Sequence, residues 1–218
     1  MSACKQCGKS AAELAHWTPV QASRELDCAG CVAVVGCMSS PDRSKLREEA
    51  FMRVCPRFCH DTDLKRLAKW LQLPPEWEPR KSLVIKGPSG AGKTRLLWHC
   101  IKVALINCQM KVRHFTHAQL CTAMEEARMD GDLEEFMGRL ARVDLLVIDD
   151  LGNGSMTDTQ SARLMEVVDS RYRACLPIWI TTQYGGNQFT EKAGAERATA
   201  ILRRITTNAL VLSDREPK

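Results

Sequence analysis

The chain has 218 residues, 44% of them apolar and 26% charged, with a formal net charge of +5. That length suits one sizeable core and one small appended module, and the composition is that of a globular protein rather than a disordered or fibrous one. No apolar run approaches the roughly 20 residues needed to cross a bilayer, so no membrane role is expected. The modest positive charge is compatible with a nucleic-acid partner without requiring one.

The start, Met1-Ser2-Ala3-Cys4-Lys5-Gln6-Cys7, is polar and lacks the apolar stretch of a signal peptide. A cytoplasmic location is expected, where eleven cysteines argue for metal ligation or buried thiols rather than disulfides. Residues 1–40 hold Cys4-x2-Cys7, twenty intervening residues and then Cys28-x2-Cys31. This spacing suits a closed four-thiolate Zn2+ site that substitutes for a core too small to form alone. Four thiolates leave no position for water, so the zinc would be structural. The competing reading is a set of unpaired reduced thiols. Cys37 is an alternative ligand for the second pair, and His16 reads as a surface histidine.

Residues 41–80 shift to charged, helix-forming composition punctuated by Pro56, Pro74, Pro75 and Pro79. Ser44–Phe51 and Asp63–Leu71 read as two short helices linking the first module to the main domain. Lys45, Arg47, Arg53, Arg57, Lys65, Arg66 and Lys69 are candidate nucleic-acid contacts, but interleaved acids favour a solvated face. Cys55, Cys59 and His60 are candidate metal ligands; the four earlier cysteines suffice, so buried thiols are the better reading.

Residues 81–218 form the expected main domain. Ser82–Lys86 reads as a buried strand. Gly87-Pro88-Ser89-Gly90-Ala91-Gly92-Lys93-Thr94 then fits the Walker A pattern at every fixed position, and a helical pattern follows. In such a loop the backbone amides cradle phosphate, Lys93 reaches the β- and γ-phosphates of ATP, and the Thr94 hydroxyl ligates Mg2+. Lys111–Phe115 reads as a second strand, and Thr116–Met129 and Asp132–Ala141 as helices, the first opened by a Thr116/Gln119 capping box. Asp144–Asp150 is an apolar run ending in two carboxylates, the Walker B pattern of a buried parallel strand. Asp149 is the expected Mg2+ ligand and Asp150 the group that orients or deprotonates the attacking water. A second capping box, Thr157/Gln160, opens a helix to about Ala174. Pro177–Gln183 is the next strand; in a P-loop ATPase with an additional strand between Walker A and Walker B, its Thr182 or Gln183 would face the γ-phosphate. A helix from about Ala195 to Thr206 and a strand, Ala209–Leu212, complete the series. Cys100, Cys108, Cys121 and Cys175 lie among apolar neighbours and read as small core residues.

Together these residues resemble the DnaC/DnaI-type helicase loaders and their IstB-type transposition relatives within the AAA+ ATPases. The resemblance rests on the Walker A loop, Val143–Gly152, Ile180-Thr181-Thr182-Gln183, Ile201-Leu202-Arg203-Arg204-Ile205, and the Arg57-Phe58 segment that follows a cysteine-paired module. It implies an α/β P-loop fold whose sheet inserts an additional strand between the Walker A and Walker B strands, with helices on both faces and no C-terminal lid. It also implies self-association through the ATP site, with Arg204, or else Arg203, completing a neighbour's site. Gln183 stands where these loaders commonly carry asparagine, and Asp150 is shorter than the usual glutamate, so slow or partner-stimulated hydrolysis is expected. The implied function is ATP-dependent loading of a replicative helicase onto single-stranded DNA. The alternatives are an IstB-like ATPase delivering a transposase to target DNA, a regulated DNA-binding zinc module, and a monomeric P-loop kinase.

Overall fold

The computed structural model describes residues 40–60, 67–183 and 195–214. The expected zinc ligands Cys4, Cys7, Cys28 and Cys31, with Cys37 and His16, lie outside these residues. Five parallel strands, β1 (Ser82–Lys86), β2 (Val112–Thr116), β3 (Leu145–Asp149), β4 (Ile178–Thr182) and β5 (Ala209–Ser213), form one sheet in the order β2-β3-β4-β1-β5. The fourth strand thus separates the Walker A strand β1 from the Walker B strand β3, as expected.

The helices are α1 (Ser40–Val54), α2 (Lys93–Lys102), α3 (His117–Met129), α4 (Leu133–Arg142), α5 (Asp158–Arg173) and α6 (Ala195–Thr206). Side chains alternate across each strand, so the sheet feeds two apolar layers. Val84, Leu146, Ile148, Ile178 and Ile180 pack with residues of α3, α4, α5 and α6. Leu83, Ile85, Leu145, Val147 and Trp179 pack with α2, and with Phe51, Cys55 and Cys59. Both expected capping boxes are present, with Gln119 and Gln160 amides donating to the Thr116 and Thr157 hydroxyls. A π-helical turn, Val103–Asn107, continues α2 and closes through the Cys108 N–H to Val103 O bond.

Two expectations change. Of the second linker helix, Leu67–Trp70 is a turn: the Ala68 N–H donates to Ala91 O in the Walker A loop, and the Leu71 N–H closes back on Ala68 O. Docking against the loop overrides local helix propensity. Cys175 is exposed, in the left-handed turn between α5 and β4, and Cys108 and Cys121 are half-buried, leaving Cys100 as the fully buried thiol of those four. Cys55 and Cys59 are also buried, in the layer under α2, where burial pushes the Cys55 thiol up to about 12. His60 turns its Nε2 to the Cys55 carbonyl oxygen.

One buried charge organises the sheet end opposite the Walker A loop. Arg171, 0% exposed, donates to Leu140 O, Val143 O and Pro177 O at 2.7–2.8 Å. It thereby ties the C-terminus of α4 to the entrances of β3 and β4. Its two terminal nitrogens are spent on backbone carbonyls, which offsets the cost of burial, while Nε is buried without a hydrogen-bond partner. Among the described residues no helix is long and apolar enough to cross a membrane.

Candidate nucleotide site

The candidate site lies at the C-terminal edge of the sheet, where parallel strands of open α/β folds present their ligands. β1 delivers Gly87, whose N–H donates to Thr182 O at the end of β4. A Cβ on Gly87 would collide with the Trp70 indole, so glycine is needed here for close packing. Gly90 (φ 78°) and Gly92 (φ 95°) take left-handed conformations that turn the loop toward the N-terminus of α2. That arrangement supplies amides and helix-end potential to a phosphate group.

Lys93 is buried, and its Nζ donates to Gly87 O at 2.9 Å and Pro88 O at 2.8 Å. Desolvation lowers its pKa, while the nearby carboxylates of Asp150, Asp149 and Asp214 act the other way. Lysine, loop amides and the first turn of α2 therefore form a cradle with a positive centre, which fits a polyphosphate. Thr94 Oγ1 donates to Asp149 Oδ1 at 3.4 Å across the site. A hydroxyl and a carboxylate, all oxygen, are the donor set a magnesium ion takes, with water and phosphate oxygens completing its shell. The residues present fit Mg2+.

Strand β4 fixes the two acids. Thr181 Oγ1 donates to Asp149 Oδ1 and accepts the Asp150 N–H, the latter at 2.8 Å. The Leu151 N–H donates to Thr181 O, and Thr182 Oγ1 donates to Leu151 O, both at 2.8 Å. Asp150 adopts φ 54°, unusual for a residue with a side chain. Burial raises its pKa, helped by the Asp149 charge and opposed by Lys93 and a hydrogen bond from Gln183. The Gly152 N–H donates to His117 Nδ1 at 3.3 Å, anchoring the end of this turn to the start of α3.

The structure thus brings Gly87–Thr94, Asp149, Asp150 and Gln183 together. Thr182 spends its hydroxyl on Leu151 O, so Gln183, exposed beside Asp150, is the available polar group at the end of β4. Arg204 is not at this site: it pairs with Asp169 across the α5–α6 contact, and Arg203 is exposed on α6. Thr181, Trp70 and His117 were not anticipated. Thr181 carried a signal, a hydroxyl one residue inside the polar end of an apolar strand; Trp70 and His117 carried none, because their roles depend on tertiary approach.

The chain matches the family described as "IstB-like ATP binding protein" over residues 56–216. A Sinorhizobium fredii (strain NBRC 101917 / NGR234) protein described as insertion sequence ATP-binding protein y4uH is 28% identical over 166 residues, 74% of this chain and 63% of that one. A Bacillus thuringiensis subsp. berliner protein described as an IS232 ATP-binding protein is 26% identical over 137 residues, 62% and 54%. A Pseudomonas fluorescens counterpart from IS1162 is 29% identical over 94 residues, 42% and 39%. The matches span less than two thirds of each relative. Among solved structures, the DnaC helicase loader superposes with TM-score 0.54 at 21% identity, over 64% of this chain and 82% of that one. DnaI gives 0.55 at 22%, over 63% and 77%. The replication initiator DnaA bound to AMPPCP and single-stranded DNA gives 0.54 at 18%, over 63% and 41%. The fold is that of the AAA+ P-loop ATPases.

Proposed function

Because this chain belongs to the IstB-like ATP-binding family, we propose that it is an ATP-hydrolysing switch that self-associates on DNA and delivers a partner protein there. The observation that carries this reading is the meeting of Lys93, Thr94, Asp149 and Asp150 at one end of the sheet. On ATP binding, Lys93 exchanges its bonds to Gly87 O and Pro88 O for phosphate oxygens. Thr94 and Asp149 would hold Mg2+, which would supply charge to neutralise the phosphates. Asp150 orients the attacking water and receives its proton, while Gln183 keeps that carboxylate aimed. Positioning and charge, rather than covalent chemistry, are what phosphoryl transfer asks of a protein. Contacts present only with the γ-phosphate then distinguish the ATP state from the product state.

Helicase loading onto single-stranded DNA is one form of this activity, suggested by the likeness to the DnaC helicase loader. Transposase delivery to double-stranded target DNA is the second, favoured by relatives described as insertion-sequence ATP-binding proteins. ATP turnover measured against protein concentration, with single- or double-stranded DNA of one sequence, tests both. Turnover per subunit is expected to rise with concentration and with DNA. Stimulation by single strands supports the loader, stimulation by duplex supports transposition, and a rate indifferent to dilution and DNA would sink the switch.

The four-thiolate reading of Cys4, Cys7, Cys28 and Cys31 belongs to the same proposal: residues 1–40 act as a zinc module carrying partner recognition, residues 41–80 join it to the ATPase, and residues 81–218 hold the nucleotide. Elemental analysis of the purified chain is expected to find about one equivalent of zinc. A Cys4→Ser, Cys7→Ser variant should lose it while binding ATP as before. A zinc-free native chain would remove the module.

A further inference from the structure

We infer that Thr181 is a positioning residue that sets the orientation of both site acids, fixing Asp149 for the metal ion and Asp150 for water through one hydroxyl. This rests on the reading of Asp149 as the Mg2+-binding acid. Ile148 of β3 stands opposite Ile180 of β4, so the next residue along β4 arrives beside Asp149. Thr181 is 0% exposed there. Its proton goes to Asp149 Oδ1, and its lone pair takes the Asp150 N–H at 2.8 Å.

These two bonds have different consequences. A carboxylate held at one oxygen has its plane fixed, leaving the other oxygen presented in a defined direction; partners behind a metal ligand tune affinity in this way. Thr94 reaches that same Oδ1 from the Walker A side, so the bound oxygen faces hydroxyls on two elements. The second bond holds the peptide of Asp150 in its left-handed turn, which decides where the Asp150 side chain departs from the strand. The neighbouring threonine does something else: the Thr182 hydroxyl donates to the Leu151 carbonyl at 2.8 Å. Two adjacent threonines in one strand end therefore make different bonds, and Thr181 couples the acids.

A hydroxyl is required for this, not merely a side chain of the right size. Valine has nearly the same shape but would press a methyl group against the Asp149 carboxylate and leave the Asp150 N–H without its acceptor. Serine keeps the hydroxyl and loses only the methyl.

The test compares native protein, Thr181→Val, Thr181→Ser and Asp149→Asn by titrating Mg2+ against binding of a fluorescent ATP analogue, with turnover measured in parallel. For Thr181→Val, binding in EDTA is expected to stay within about twofold of native, while the half-saturating Mg2+ concentration rises about 10-fold or more. Turnover should fall by a similar factor. Thr181→Ser should return both to within about threefold of native. Native Mg2+ dependence in Thr181→Val, with Asp149→Asn defective, would overturn the inference and leave the metal site standing. Native dependence in Asp149→Asn would overturn the metal reading and this inference with it. Should Thr181→Val melt below the assay temperature, Thr181→Ser decides: near-native Mg2+ dependence supports the hydroxyl, and a serine variant that has lost it overturns the role.

Discussion

Replacing Lys93 with alanine is expected to weaken ATP binding by about 10- to 100-fold and to abolish measurable turnover. A hydrogen bond to a charged group contributes about 1.5–3 kcal/mol, and each 1.4 kcal/mol is a factor of about ten in affinity. Lys93 is not a surface lysine that a neighbour might replace. It is 6% exposed, opens α2, and has its ammonium inside the loop against Gly87 O and Pro88 O. Desolvation acts against the charge there, so the bare cradle is a place where a polyanion improves the lysine's surroundings. Alanine removes that charge and also leaves two loop carbonyls without their donor. Arginine should not restore function, because its planar fork is larger and differently directed than an ammonium. Titration of a fluorescent ATP analogue, with circular dichroism confirming the fold, checks this; native affinity in Lys93→Ala would remove the lysine from the phosphate site.

Much of the fold was readable because its determinants are local. Leu145–Ile148 is apolar throughout and stops at carboxylates, and each capping box lies within four consecutive residues. The glycines of the Walker A loop announce positive φ by spacing, and Gly90 and Gly92 adopt it. Illegible features depend on approach between distant segments. Asp63–Leu71 has helical composition, yet its described part is held open by the bond from Ala68 to the Walker A loop and by Trp70 lying against Gly87. Cys175 has apolar neighbours in sequence but occupies a left-handed turn, where Ala174 is exposed with it and Leu176 is half-buried.

The candidate site divides along the same line. Residue identity picked out the groups that meet at the candidate site, namely Lys93, Thr94, Asp149 and Asp150, because phosphate and magnesium chemistry calls for these side chains at these spacings. It did not disclose what orients them. Thr181 and Thr182 are adjacent and chemically identical, and only the pleat of β4 against β3 separates the one that meets the acids from the one that meets a backbone carbonyl. His117 likewise becomes informative once the Gly152 N–H is seen to end on its Nδ1.

Arg204→Ala is expected to bind ATP as the native chain does yet lose about 10³-fold or more in turnover, the usual worth of an arginine supplied in trans to a transferring phosphoryl group. In the single chain its guanidinium is not at the nucleotide: it pairs with Asp169 on α5, and both side chains are about one-third exposed. An exposed ion pair is a small stabiliser, so exchanging Asp169 for a neighbour's γ-phosphate is energetically open once subunits assemble. Two roles can be separated by mixing. In an equal mixture of Lys93→Ala and Arg204→Ala subunits, about a quarter of head-to-tail interfaces join an intact Lys93 to an intact Arg204. Turnover should reappear there although neither variant is active alone. If Arg204 serves only to hold α6 against α5, the mixture stays inactive, and Arg204→Ala and Asp169→Ala share a lowered melting temperature. Recovery on mixing cannot come from such packing, because mixing leaves each subunit's own α5–α6 contact as it was and only a new interface supplies the missing arginine.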